Sequence, residues 1–276
     1  MQRAGTDIPQ LAIEAPEQLA AARIRLESFN TGRLRGVMQL VGLDAAGDPI
    51  RVVLEPEGSP LARQAPPPIA GFASLDENRI VLFPARSPAY PHDTLEDVLH
   101  HEVAHILISR AAGGMPVPRW FHEGLAVLAE RTWGFEDDAR LLRELVLVSP
   151  ISLNRLDALF AADGASPARA YTLAAAFVRD INGRHGGQAA ARILRRVAAG
   201  DTFERAFAQA TGESVAEAEI TFWNSHRFWT AIGPFLTTQT ALWMIVTIVG
   251  IFAIIRRRQQ RAVQRARWED ERDESR

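Results

Sequence analysis

"LEDVLHHEVAHILISR", residues 95–110, sets three histidines and several acids among leucines, valines and isoleucines. A buried helix excludes such groups unless something satisfies them. Within the stretch, His101-Glu102-Val103-Ala104-His105 is the pattern H-E-x-x-H. On a helix, the imidazoles at i and i+4 share one face and converge on one metal ion. The register is unambiguous, because His100 has Ala104 four residues on. Leu99, Val103 and Leu107 recur every fourth residue and predict one buried stripe. Asp93 or Thr94 can cap the start, with Glu96 three residues after Asp93. The helix is expected to stop at "AAGG", where Gly113 or Gly114 can take the left-handed position.

Two histidines leave a catalytic metal site incomplete, since three protein ligands and one open position are expected. Glu123 is the candidate third ligand. It lies eighteen residues after His105, in "PRWFHEGLAVLAERTW", a second helix expected to begin at Pro118. The intervening Gly-Gly break and "PVP" turn let this helix fold back on the first. An unpaired carboxylate in so apolar a helix is costly, and a metal removes that cost.

The rest of the chain supplies a frame. Its 276 residues suffice for one large domain or two small ones, and 47% apolar against 23% charged residues is a globular composition. A net charge of −2 gives no argument for nucleic acid. The absence of cysteine excludes disulfides, thiolate metal sites and a cysteine nucleophile. Lysine is absent too, which excludes a Schiff base. Residues 17–28 fit a short amphipathic helix, and "RVVLE" at 51–55 reads as a strand. "GFASLDENRIVLFP" reads as two strand pieces about Asp76, Glu77 and Asn78. Further helices are expected near 137–148, 167–184, 187–199, 202–211 and 213–229. No internal repeat is present. The expected class is α+β, with a small strand-containing N-terminal half and a helical C-terminal half.

Residues 236–255, "LTTQTALWMIVTIVGIFAII", carry no charge and are long enough for a transmembrane helix. "RRRQQRAVQRAR" follows at once. Under the positive-inside rule this predicts a single-pass protein, anchored to the membrane by a C-terminal helix. Residues 1–232 would then form a periplasmic or extracellular domain, and 256–276 a cytoplasmic tail that is basic and then of mixed charge. The first twenty residues lack the apolar core of a signal peptide. The favoured expectation is a trimmed or miscalled start; the alternative is a tail-anchored domain in the cytoplasm.

"HEVAH" followed by "WFHEGLA" resembles the gluzincin branch of zinc metallopeptidases, and particularly the bacterial peptidase MA-like proteins. The resemblance covers most of residues 17–230. It implies a zincin-like fold and one zinc ion per chain, held by His101, His105 and Glu123, with Glu102 as general base. It also implies that the "GFASLDENRIVLFP" segment is the edge strand along which a peptide or protein substrate is laid. Some members carry an acidic residue four positions after the glutamate ligand, to orient a ligand histidine; here that position is Val127. The orienting partner must then come from elsewhere. Related gluzincins place a tyrosine on a later helix, which makes Tyr171 a candidate oxyanion donor; otherwise it is a half-buried core tyrosine.

Tyr90 reads as a loop packing residue. His92 lies in the turn before the first helix, and His100 and His122 point away from the ligands beside them. His185 and His226 are isolated. The expected function is a membrane-anchored zinc peptidase, of endopeptidase rather than aminopeptidase type. The alternatives are a catalytically silent, metal-stabilised binding module at the membrane and a tethered domain without metal.

Overall fold

The structure is a computed structural model. It describes residues 8–67, 69–86, 91–130, 133–147, 150–160 and 166–226, together with Trp243, Thr247, Gly250, Ile251 and Arg256. The chain divides into two compact units, Met1–Glu144 with Pro150–Ser225, and Leu145–Ser149 with His226–Arg276. In the second unit the five isolated residues named above are helical, and the Thr247 hydroxyl donates to the Trp243 carbonyl one turn back at 2.8 Å.

The first unit combines a four-stranded mixed sheet with helices. Its strands are β1 (Leu11–Glu14), β2 (Ile50–Leu54), β3 (Gly71–Ser74) and β4 (Arg79–Leu82), in the order β1-β2-β4-β3. β1, β2 and β4 run parallel, and β3 returns antiparallel to β4. β2 buries Ile50, Val52 and Leu54, whereas Arg51 points outward to a bidentate pair with Glu14 at 3.1 and 3.0 Å. A parallel pair needs a crossover, and α1 (Ala20–Glu27) and α2 (Leu34–Val41) carry it from β1 to β2. The helices that follow are α3 (Pro60–Gln64), α4 (Leu95–Ala111), α5 (Arg119–Glu130), α6 (Phe135–Leu147), α7 (Leu153–Phe160), α8 (Ser166–Arg184), α9 (Ala189–Ala198), α10 (Phe203–Thr211) and α11 (Val215–Ser225).

α4 is the central element. Thr94 caps it, its Oγ1 accepting from the Asp97 amide at 3.2 Å. At the other end Gly113 (φ 65°) and Gly114 (φ 74°) both take the left-handed conformation, and the Gly114 amide closes on the Ser109 carbonyl. The buried stripe Leu99, Val103 and Leu107 is present, but burial extends round the helix to include Val98, Ala104, Ile106 and Ile108. α4 packs against the β3–β4 hairpin, α2, α5 and α9, so little of its circumference meets water. Arg110 pins it to the sheet. Its guanidinium donates to the carbonyls of Ala46 and Asp48 and to Asn78 Oδ1 in the β3–β4 turn. Asn78 sits at φ 50° and in turn donates to the Pro49 carbonyl at 2.7 Å.

α5 is pressed onto α8 at Gly124, where an added Cβ would lie 2.5 Å from the Ala174 carbonyl oxygen. The rings of Trp120, Phe121, Phe177 and Phe203 pack edge to face around this crossing, at centroid distances of 5.1–5.8 Å.

The strand expected at 51–55 spans Ile50–Leu54, and the helices expected after residue 135 match α6 and α8–α11 to within a few residues among the described positions. β1, α2 and α7 had no expectation, and α3 takes up the start of "LARQAPPPIAG", a stretch that reads as a proline-rich loop. The predicted transmembrane helix, and the single-pass localisation built on it, must be corrected. Among the described residues no helix is long and apolar enough to cross a membrane. The longest, α8, has 19 residues but carries Arg169, Arg179, Asp180 and Arg184, charges that hydrocarbon does not accept. Apart from the single positions named above, residues 236–255 lie outside the described residues, as do Tyr90 and most of 256–276.

Because the obstacle at Gly124 is backbone, Gly124→Ala is expected to force α5 and α8 apart. The cost should be about 2 kcal/mol or more. Chemical denaturation should show a lowered midpoint at unchanged slope.

Candidate metal centre

The α4–α5 crossing brings His101, His105 and Glu123 together. Nε2 of His101 stands 3.5 Å from Glu123 Oε2, and Nε2 of His105 stands 3.4 Å from the same oxygen. The two imidazoles meet nearly perpendicular, with centroids 4.6 Å apart. His101 and Glu123 are buried, at 2% and 8% exposure. Glu123 Oε2 is nevertheless without a hydrogen bond.

These distances are informative. A charge-assisted hydrogen bond would draw nitrogen and oxygen to about 2.7–2.9 Å. Ligands held at about 2.1 Å by a tetrahedral ion stand about 3.4 Å from one another instead. Two edges of the donor triangle thus have the spacing of a tetrahedral face, all three donor atoms lie within 4.8 Å of one another, and the shared corner is a buried oxygen without a hydrogen bond. They could hold a metal ion.

A second group of the same composition, His92, His101 and Glu130, shares His101 with the first. Glu130 ends α5, two turns after Glu123, and is 3% exposed. Its Oε2 lies 3.0 Å from His92 Nδ1 and 3.3 Å from His101 Nδ1, the latter off the line of a good hydrogen bond. Its carbonyl faces His100 Nδ1 at 3.0 Å and accepts from Arg33 Nη2 at 3.1 Å. In this second group Glu130 Oε2 has a hydrogen-bond partner in His92, whereas Glu123 Oε2 in the first has none. The better reading gives the metal to the Nε2 side of His101 and makes Glu130 the carboxylate behind its Nδ1. Glu130 is thus placed where a carboxylate could orient the His101 ring, which Val127 could not do.

The charges agree with this picture. For His101 burial opposes protonation, but contacts with Glu123 and Glu130 and the charge of Glu102 overcome it and push the pKa up to about 10. Glu123 and Glu130 are also penalised by burial, yet the histidines hold Glu123 well below its ordinary value and Glu130 down at about 2. His100 is lowered to about 4, chiefly by burial and then by Arg33. His122 is lowered to about 3, chiefly by burial and then by His105, whose ring lies 4.6 Å away. Both are neutral at pH 7 and stand beside the centre without joining it.

Glu102 is 7% exposed, and its charge reaches both His101 and Tyr171. Tyr171 projects from α8 to within 6.2 Å of the His101 ring and packs on Phe160 at 5.1 Å. Burial first, then the charges of Glu123 and Glu102, raise its pKa, so the hydroxyl keeps its proton at neutral pH.

All five sequence-predicted site residues, His101, Glu102, His105, Glu123 and Tyr171, are thus brought together. Sequence reasoning missed Glu130 and His92. A signal existed for Glu130: a residue seven after Glu123 returns to the same helix face, as one four after does.

No protein-family model and no curated protein matches this sequence.

Two predictions follow from the electrostatics. In the metal-free chain the folded pKa of His101 lies above its ordinary 6.5, so its contribution to stability is full below pH 6.5 and is lost as pH rises through 10. That of Glu130 lies below its ordinary 4.5, so its contribution is present above pH 4.5 and is lost as pH falls through 2. A cation must displace the His101 proton. Binding at pH 7 should then release about one proton and tighten by about tenfold per pH unit as pH rises. Calorimetry in buffers of different ionisation enthalpy measures that release. Glu130→Gln should weaken metal binding by about 10- to 100-fold while all three donors remain, which competition with a chelator would reveal.

Proposed function

We propose that the chain is a zinc-dependent peptidase of gluzincin type, with His101, His105 and Glu123 as ligands and Glu102 as general base. The reading rests on one observation above all: two imidazole nitrogens at 3.5 and 3.4 Å from an otherwise unsatisfied buried carboxylate oxygen. Two histidines and one carboxylate suit zinc. The resemblance of "HEVAH" and "WFHEGLA" to the peptidase MA-like proteins supports the same assignment.

A cation at these donors would supply Lewis-acid polarisation of a scissile carbonyl and acidify water. The protein's own groups do the rest. Glu102, next to His101 on α4, takes a proton from the attacking water at a carboxylate oxygen and delivers it to the leaving amine. Tyr171, kept protonated by burial and then by the charges of Glu123 and Glu102, donates a hydrogen bond to the developing oxyanion. Glu130 and His92 hold the His101 ring from behind. The β3 strand contacts α4 and, among the described residues, forms the edge of the sheet, where an extended peptide could add as a further strand.

Elemental mass spectrometry of the full chain should find about one zinc per molecule, lost in His101→Ala and Glu123→Ala. Glu102→Gln should keep the zinc and lose peptide hydrolysis by at least about a hundredfold. Unchanged hydrolysis in that variant would exclude the mechanism. Tyr171→Phe should lower kcat by about a hundredfold with little change in KM.

A further inference from the structure

Arg119 opens α5 one turn before Glu123 and shares its face. Its Nε stands 3.5 Å from Glu123 Oε1, the oxygen that the two histidines leave free. The guanidinium lies over the Phe160 ring, 5.0 Å from the centroid. Phe160 meets Tyr171 edge-on, and Tyr171 meets His101. A continuous wall thus runs from the metal-binding group to Arg119. The residues of that wall are largely buried, but the Arg119 side chain is 46% exposed. Cation–π attraction to the ring restrains the guanidinium, and its planar fork of N–H donors can bind a carboxylate through two of them.

Charge adds a second argument. Among the described residues Glu123 is the one carboxylate that pairs with Arg119. A divalent cation on Glu123 takes up that negative charge and leaves the guanidinium unbalanced at the mouth of the site. We propose that Arg119 is a specificity-determining residue that binds a carboxylate of the substrate, either the terminal carboxylate of a peptide or an Asp or Glu side chain. The ligand is taken to be a peptide on the strength of the hydrolase reading above.

The test uses the full chain carrying Glu102→Gln, loaded with one zinc per chain and immobilised. It is offered acetylated peptide pools with randomised interiors. One pair of pools differs only at the C-terminus, free acid against amide. A second, amide-capped pair differs only in carrying Asp and Glu against Asn and Gln. Mass spectrometry of the retained peptides should show an acid preference of about tenfold or more in one pair. Arg119→Gln should abolish it, and Arg119→Lys should keep part. A preference in the first pair assigns the chain terminus; in the second, the side chain. Equal retention of acidic and neutral pools, or a preference that survives Arg119→Gln at equal zinc loading, overturns the proposal. The hydrolase reading fails separately: acid-selective retention through Arg119, with no hydrolysis by the chain carrying Glu102, keeps the carboxylate site and removes the peptidase.

Discussion

His101 sits between two glutamates, Glu123 on its Nε2 side and Glu130 on its Nδ1 side, with all three side chains nearly out of reach of water. Burying that much ionisable chemistry is costly unless each group has a partner. Glu130 finds its partners in His92 and His101. Glu123 has none at hydrogen-bonding distance, and its neighbours stand at the spacing that a tetrahedral ion would set. The metal-free chain meets the difficulty with a proton on His101. The pH behaviour of the centre and its affinity for a cation are therefore two sides of one constraint.

The fold around the centre holds two helices at a separation that this geometry tolerates. Arg110 ties α4 to the loop before β2, through Ala46 and Asp48, and to the β3–β4 turn, through Asn78. Gly124 lets α5 approach α8 to backbone contact, and the edge-to-face rings of Trp120, Phe121, Phe177 and Phe203 lock that approach. Tyr171 reaches the His101 ring from α8, and Phe160 of α7 packs behind Tyr171. An error of an ångström in either crossing would move Glu123 Oε2 out of reach of one histidine, so the packing and the chemistry cannot be separated.

Charge is distributed along α5 with the helix period. Arg119, Glu123 and Glu130 lie one and two turns apart on a single face. The first faces outward, the second faces the histidines and the third lies behind them. One helix face thus carries a group for the solvent side, a group for the centre and a group that orients the centre.

Much of the candidate site was legible in the linear sequence. H-E-x-x-H on a helix has one geometric consequence, and an acid in the next apolar helix has few reasons to be there. Both arguments depend on local periodicity, which the chain expresses residue by residue. Helices α6 and α8–α11 were legible for the same reason. β1 and α7 were not; β1 is no shorter than β3 and β4 but lacks the Asp76-Glu77-Asn78 turn that sets that pair off. The membrane-spanning helix was inferred from apolar composition over a window; among the described residues no helix is both long and apolar enough to span, and α8, which is long enough, carries four charges. That Glu130 meets His101 and His92, and that Arg119 lies over Phe160, was decided by tertiary structure; for Glu130 the helix period marked the face but not the partners. Each depends on which helix lies against which, and at what distance. Local pattern sets the face on which a side chain projects; only packing between elements far apart in the chain determines what it meets there.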